Sequence, residues 1–317
     1  MEMLFFLLRQ TFNFAIPLMI VALAGLVSEK GGVVNIGLEG MMVIGAFCSV
    51  IFINKTSGIL SGQLQLVLAM FIAMAGGMIV SVIHAFASIT LRANQIISGI
   101  AINTFAPSFA VFVARIILGQ SIIPFSNTFL IEQVPVLTDI PVLGDIIFTR
   151  FYISTFIGFA IAALVAFTLQ KTRFGLRLRA CGEHPQAPDS VGINVLQIRY
   201  IGVLISGALA GLGGLIYVIP NATGFTCNVY GYGYVALTVL MLGQWNTGKI
   251  VVFSFIFGAF STLAAAYSTI PALSQLGVST YYFKMIPYVV TLLVFLFSKK
   301  GIHGPKAAGQ PFEKGMR

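Results

Sequence analysis

The chain has 317 residues, 58% of them hydrophobic and only 9% charged, with a formal net charge of +9. A soluble domain carries about 25% charged residues, and a large core would not remove the need for a charged surface, so a soluble globular protein is excluded. Apolar stretches of roughly 20 residues recur along the whole length, each able to cross a hydrocarbon layer of about 30 Å. They read as an all-α polytopic membrane protein. The short alternating segments of a transmembrane barrel are not found, and membrane orientation accounts for the excess of base better than nucleic acid does.

The first segment, "MEMLFFLLRQTFNF", has Glu2 where a signal peptide would be basic and no small-residue cleavage site, and reads as the lead-in to the first span. Nine spans are expected, within a range of 8–10, near 11–28, 34–53, 64–89, 95–117, 151–170, 198–219, 233–247, 250–268 and 284–298. The seventh is short and flanked by glycine, so it is expected to be bent or broken rather than a full crossing. Residues 1–298 then form one transmembrane domain, and 299–317 a basic tail.

Segment 171–199 carries Lys171, Arg173, Arg177, Arg179 and Arg199, and the tail carries Lys299, Lys300, Lys306, Lys314 and Arg317. Segment 118–149 has no Lys or Arg but has Glu132, Asp139 and Asp145. The positive-inside rule places the first two in the cytoplasm and the third outside. Five spans before the loop then put the N-terminus outside. "ALAGL" occurs at 22–26 and at 208–212, each copy followed by a glycine-rich segment and lying in spans of opposite direction, as inverted repeats would.

Within the second span, "VVNIGLEGMMVIGAF" puts Asn35 and Glu39 at i, i+4, on one face of a helix. At 1.5 Å per residue Glu39 lies about 9 Å into the span. A central charge is unfavourable by about 2.5–3.5 kcal/mol on insertion scales, so the carboxylate must face protein or water. The glycines permit close helix approach or local unwinding, and broken helices line transport sites. Two readings stay open: Asn35 and Glu39 belong to or support a translocation pathway, or Glu39 pins the second span by accepting hydrogen bonds. Asn103, four residues before Pro107, and Gln244 and Asn246, ending the seventh span, are further pathway candidates.

Chemistry motifs fail. "GQWNTGKI" satisfies GxxxxGK, but Ile250 stands where a P-loop needs Ser or Thr for Mg²⁺. His84, His184 and His303 have no partner at triad or metal-ligand spacing, and Cys48, Cys181 and Cys227 form no CxxC pair. His84 reads as an interhelical hydrogen-bonder. No catalytic residue, metal or cofactor is expected.

The 171–200 segment, "KTRFGLRLRACGEHPQAPDSVGINVLQIRY", is far longer than the 2–8 residues a helix connection needs. It reads as a short helix near 173–180, a turn at Gly182 and Pro185, and a second short helix near 186–191, a plug for a soluble partner. "FGLRLRACGEHPQAPDSVGIN" resembles the coupling loop of ABC importer permeases of the branched-chain amino acid, simple sugar and nucleoside group. "NIGLEGMMVIGAF", "SGALAGLGG" at 206–214 and "GYGYVALTVLMLGQWN" at 231–246 fit the same family in order, and "NIGLEG" is most like permeases of nucleoside importers served by a basic-membrane-protein-type lipoprotein.

The resemblance implies a type II importer fold in the cytoplasmic membrane. Its partners would be cytoplasmic ATPase subunits, a second permease of a related chain, and a substrate-binding lipoprotein. It also implies that 171–197 is the coupling element, with Arg173, Arg177 and Glu183 able to meet the ATPase and Phe174, Gly175, Gly182 and Pro185 in the same loop, the glycines and proline shaping it. The rivals are sugar or branched-chain amino acid cargo, and an ion-coupled transporter. The last would favour several buried acids, whereas Glu39 is the only acid read clearly inside a span.

Overall fold

The computed structural model describes residues 2–134, 148–267 and 304–313, together with 138, 144, 282, 285, 286, 288–290 and 292. Its helices are α1 (Glu2–Lys30), α2 (Leu38–Thr56), α3 (Gly62–Ala85, continued by a π-helical turn at Phe86–Thr90), α4 (Gln95–Leu118) and α5 (Ile153–Lys171). Then come α6 (Arg173–Glu183), α7 (Gln186–Ser190), α8 (Val195–Asn221), α9 (Tyr232–Leu242) and α10 (Thr247–Ala266).

Among the described residues, seven helices are long and apolar enough to cross a membrane: α1 to α5, α8 and α10. They match the first six expected spans and the eighth. The expected seventh is α9, with 11 residues. At 1.5 Å per residue that is about 16 Å, half a crossing. Most of the ninth, 284–298, and most of the acidic stretch 134–147 lie outside the described residues.

Local chemistry sets the helix ends. Asn94 accepts from the Ile96 and Ile97 N–H groups to start α4, and Asn194 and Asn246 cap α8 and α10 in the same way. Gly119 ends α4 in the left-handed region, at φ 71°.

Helices α1 and α8 are buried through most of their length, whereas α4 and α5 are largely outward-facing. They run antiparallel, Gly213 resting on Val21 and Pro17, and Gly202 on Val27. The motif at 206–214 is a contact surface. A Cβ on Gly207 would overlap Ser81 of α3, one on Gly211 the Ala73 carbonyl, and one on Gly214 the Met42 carbonyl of α2. Helices immersed in lipid gain no hydrophobic drive from meeting each other, so such close backbone approach supplies the attraction.

The end of α8 at Val195 carries the α6–α7 loop and defines the loop face. On the far face two small antiparallel pairs join the connections. β1 (Ile123–Pro124) pairs with β4 (Gly224–Phe225), and β2 (Ile131–Gln133) with β3 (Thr149–Phe151). Asn127 donates to Tyr152 Oη at 2.8 Å and to the Ile219 carbonyl at 2.9 Å, tying the 119–152 connection to α8.

Candidate functional site

Helix α1 ends at Lys30 and α2 begins at Leu38, and the chain between turns inward as a non-helical loop. Backbone groups buried away from water must be paired, and here side chains of α1, α3, α4 and the loop itself do it. Val34 donates its N–H to Gln95 Oε1 at 2.7 Å, and its carbonyl pairs with His84 Nε2 at 3.1 Å. Ser28 donates to the Val33 carbonyl at 2.7 Å. Asn103 reaches over from α4, donating to the Ile36 carbonyl and accepting from the Gly40 N–H, both at 2.8 Å. Asn35 accepts from Gly37 N–H at 3.1 Å and donates to Ser206 of α8 at 2.9 Å. His84 is fully buried and pairs with Ser98 at 3.0 Å as well, the interhelical role its sequence context suggests.

Glu39 stands in the first turn of α2, buried, and its two oxygens face a second helix start. Oε1 accepts from the Gly231 N–H at 2.7 Å and Oε2 from the Gly233 N–H at 2.6 Å. The first N–H groups of a helix have no partner within it and carry the positive end of its dipole. Gly231 precedes α9 in the left-handed region, at φ 82°, and a Cβ on Gly233 would sit 2.6 Å from the Glu39 nitrogen. Glycine is therefore needed at both positions. Helices α2 and α9 leave this junction in opposite directions, α2 toward the far face and α9 toward the loop face. Each follows a long helix and a short irregular segment, the arrangement suggested by the "ALAGL" duplication.

The other end of α9 is fastened too. Beyond Leu242, Trp245 donates its indole N–H to Glu29 Oε2 at 2.6 Å, and both side chains are buried. Sequence reasoning missed Glu29, so Glu39 is not the only buried acid. Glu29 follows the first expected span directly, beside Lys30, and looks like an interfacial flank.

The expected pathway residues separate into two groups. Asn35, Glu39 and Asn103 converge on the α2 start. Asn35 and Glu39 do not form a helical i, i+4 pair, however, because α2 begins only after Gly37 and Asn35 sits in the loop, where its amide holds the turn. Gln244 and Asn246 lie apart, exposed at the loop face. Asn246 caps α10, and Gln244 Oε1 accepts from Lys249 Nζ at 2.6 Å.

On the loop face the 171–197 segment forms two short helices, as the sequence suggests, with α6 running on to Glu183. Thr172 caps α6 by accepting the Gly175 N–H at 3.1 Å. Gly175 lies so close to α5 that a Cβ would overlap the Thr168 carbonyl oxygen, and one on Gly182 would overlap that of Lys30. Phe174 packs against the main core and Pro185 is buried, whereas Arg173, Arg177 and Glu183 point out to solvent. Leu176 and Val191 are exposed beside them.

Residues 304–313 cross the same face as a strap. Ala307 donates its N–H to the Gly182 carbonyl at 2.8 Å, and Gly309 donates to that of Gly32 at 3.2 Å. Phe312 is buried with Cys181 and Val195. Arg199, 2% exposed, donates to the Gln310 carbonyl at 2.9 Å and to that of Cys181 at 3.4 Å. Burial pushes the Cys181 thiol up to about 11 against the opposing pull of the Arg199 charge.

Membrane-length helices around a half-helix, with two helix starts meeting at a buried carboxylate, make up a permease-type membrane protein. The family model described as branched-chain amino acid transport system / permease component matches residues 7–295, and the chain belongs to that family.

It is 40% identical to the guanosine ABC transporter permease protein NupQ of Bacillus subtilis, over 100% of this chain and 99% of that protein. It is 39% identical to the nucleoside ABC transporter permease protein NupC of Lactococcus lactis, covering 95% and 94%. A second protein of that organism, the nucleoside ABC transporter permease protein NupB, is 23% identical over 90% of this chain and 77% of its own length. No solved structure matches the chain.

Proposed function

We propose that this chain is the membrane-spanning permease subunit of an ATP-driven importer for nucleosides, placed in the cytoplasmic membrane with the α6–α7 loop, the strap and the C-terminus inside and the N-terminus outside. The single observation that carries the reading is full-length identity of about 40% to two permeases named for guanosine and nucleoside transport. ATP is hydrolysed by a partner ATPase, and this chain supplies the path. Its second permease is a related chain rather than a copy: NupB and NupC come from one organism and both resemble this sequence. A substrate-binding lipoprotein delivers the cargo at the far face.

The mechanism follows from how the parts are joined. The ATPase grips the exposed side of α6, where Arg173, Arg177 and Glu183 stand with Leu176. Gly175 and Gly182 join α6 to α5 and to the end of α1 without intervening side chains, so a push on α6 moves those helices with little loss. The motion reaches the α1–α2 loop and the α2–α9 junction, where Asn35, Asn103 and Glu39 keep the two helix starts in register along the path.

The test is uptake of labelled guanosine by cells with and without this chain, with ribose and leucine as competitors. Uptake that depends on the chain, is blocked by vanadate, is indifferent to a protonophore and is not competed by ribose or leucine is expected. Uptake abolished by the protonophore alone, or competed by either solute, overturns the assignment.

A further inference from the structure

A cavity of about 280 Å³ opens beside the Glu39 junction, and its walls are aromatic. Phe14 of α1, Tyr217 of α8, Tyr230 and Tyr232 on either side of Gly231, and Tyr288 line it, with Ser261 of α10. The Tyr217 and Tyr232 rings stack, with centroids 4.3 Å apart and planes at 29°. Tyr232 is fixed by donating its hydroxyl to the Phe14 carbonyl at 2.5 Å. At the mouth Tyr230 and Tyr288 are exposed, and the Tyr288 hydroxyl donates to the Tyr230 carbonyl at 3.3 Å.

Tyr230 and Gly231 both have left-handed backbone, at φ 53° and 82°. A tyrosine adopts that conformation only when its surroundings impose it. The constraint is at hand, since the turn is what delivers the Gly231 N–H to Glu39. The carboxylate therefore holds the aromatic rim in place.

We propose that this cavity binds the base of a nucleoside in transit; the inference rests on the nucleoside reading above and adds a site to it. A nucleobase has two π faces, and stacking on aromatic side chains binds any base without requiring a charge. Tyrosine hydroxyls at the rim can meet ring nitrogens and exocyclic groups, since each both donates and accepts. A pentose or a leucine side chain has no π face to offer. Among the described residues no charged side chain lines the cavity, so the phosphate of a nucleotide would find no cation there. The site suits the neutral nucleoside.

The test uses the assembled transporter, reconstituted with its ATPase and receptor, and the photoreactive probe 8-azidoguanosine. Labelling of this chain within 217–232, competed by guanosine and not by ribose, is expected. Tyr230→Ala and Tyr288→Ala should each lower labelling about tenfold, the factor one lost base stack is worth. Tyr288→Phe, which keeps the ring, should stay within about twofold of the original, and co-purification of the partner subunits monitors folding of each variant. A complex that imports guanosine yet labels equally in both alanine variants, or whose labelling ribose competes as well as guanosine, overturns the site while leaving the transport assignment standing. A complex that imports no nucleoside at all removes both.

Discussion

Trp245 and Glu29 are 216 residues apart in sequence and joined by one buried hydrogen bond of 2.6 Å, from the indole N–H to the carboxylate. With the Glu39 contacts at its other end, this fastens α9 to the α1–loop–α2 segment at both termini. A helix of 11 residues is too short to be stable by itself. Its position depends on these two acids and on its packing.

The first prediction concerns that bond. A double-mutant cycle between Glu29→Leu and Trp245→Phe should return a coupling of about 0.5–3 kcal/mol, the range for hydrogen bonds to neutral and charged acceptors. Trp245 is the only tryptophan in the chain, so its own fluorescence provides a second readout. Glu29→Leu should raise the access of a collisional quencher to the indole. A coupling under about 0.5 kcal/mol would mean that packing alone positions Trp245.

Glu39 should respond in steps. Glu39→Gln keeps one carbonyl oxygen and so loses one of the two backbone N–H bonds, while Glu39→Leu loses both and leaves two buried donors unpaired. Guanosine uptake should fall partially in the first variant and by more than about tenfold in the second, with stability dropping by about 1.5–3 kcal/mol per bond removed. A leucine variant that inserts, assembles and transports normally would show that the two helix starts need no anchor.

How far the sequence revealed this molecule follows the range of each interaction. The spans, the shortness of α9 and the two short helices of the 171–197 loop all announce themselves within a few residues, through hydropathy, glycine and proline. Glu39 stood out because a lone acid interrupts an apolar run. Arg199 did not, because it reads as one more positive-inside charge, yet it is buried and bonds the Gln310 carbonyl 111 residues away. Glu29 was hidden in the same way. Asn35 was placed on a helical face by its spacing, and only the loop geometry around Gly37 shows that its amide serves the turn instead. The glycines of 206–214 were visible as a motif, but their meaning, contact with α2 and α3, depends on residues far off in the chain.

In the α6–α7 loop, buried and exposed positions should fail differently. Gly175→Ala and Gly182→Ala push a methyl group into backbone carbonyls that cannot move aside cheaply. Both should lower stability by more than about 2 kcal/mol and abolish uptake. Arg173→Ala and Arg177→Ala remove exposed charges and should leave stability within about 0.5 kcal/mol. Their effect should appear as weaker, more salt-sensitive retention of the ATPase in a pull-down. Equal ATPase retention by all four variants would place the partner's grip elsewhere.

The strap should control the chemistry of Cys181. The thiolate is the reactive form, and burial pushes this thiol up to about 11, against about 8.5 for an exposed one. In a Cys48→Ser, Cys227→Ser background, maleimide labelling at pH 7.5 should be slower than for a free thiol by at least about a hundredfold. It should rise about tenfold per pH unit until pH approaches 11. The sign for stability follows: below about 8.5 the group is protonated in both folded and unfolded chains and has no effect, and as pH climbs from there toward 11 the unfolded chain loses the proton first. Folding should therefore weaken across that window and not below it. Phe312→Ala uncovers the sulfur and should restore much of the normal reactivity at pH 7.5, the substitution itself lying outside the membrane-length helices. Rapid labelling of Cys181 in the intact folded chain would mean that residues 304–313 do not stay seated on the α6 end.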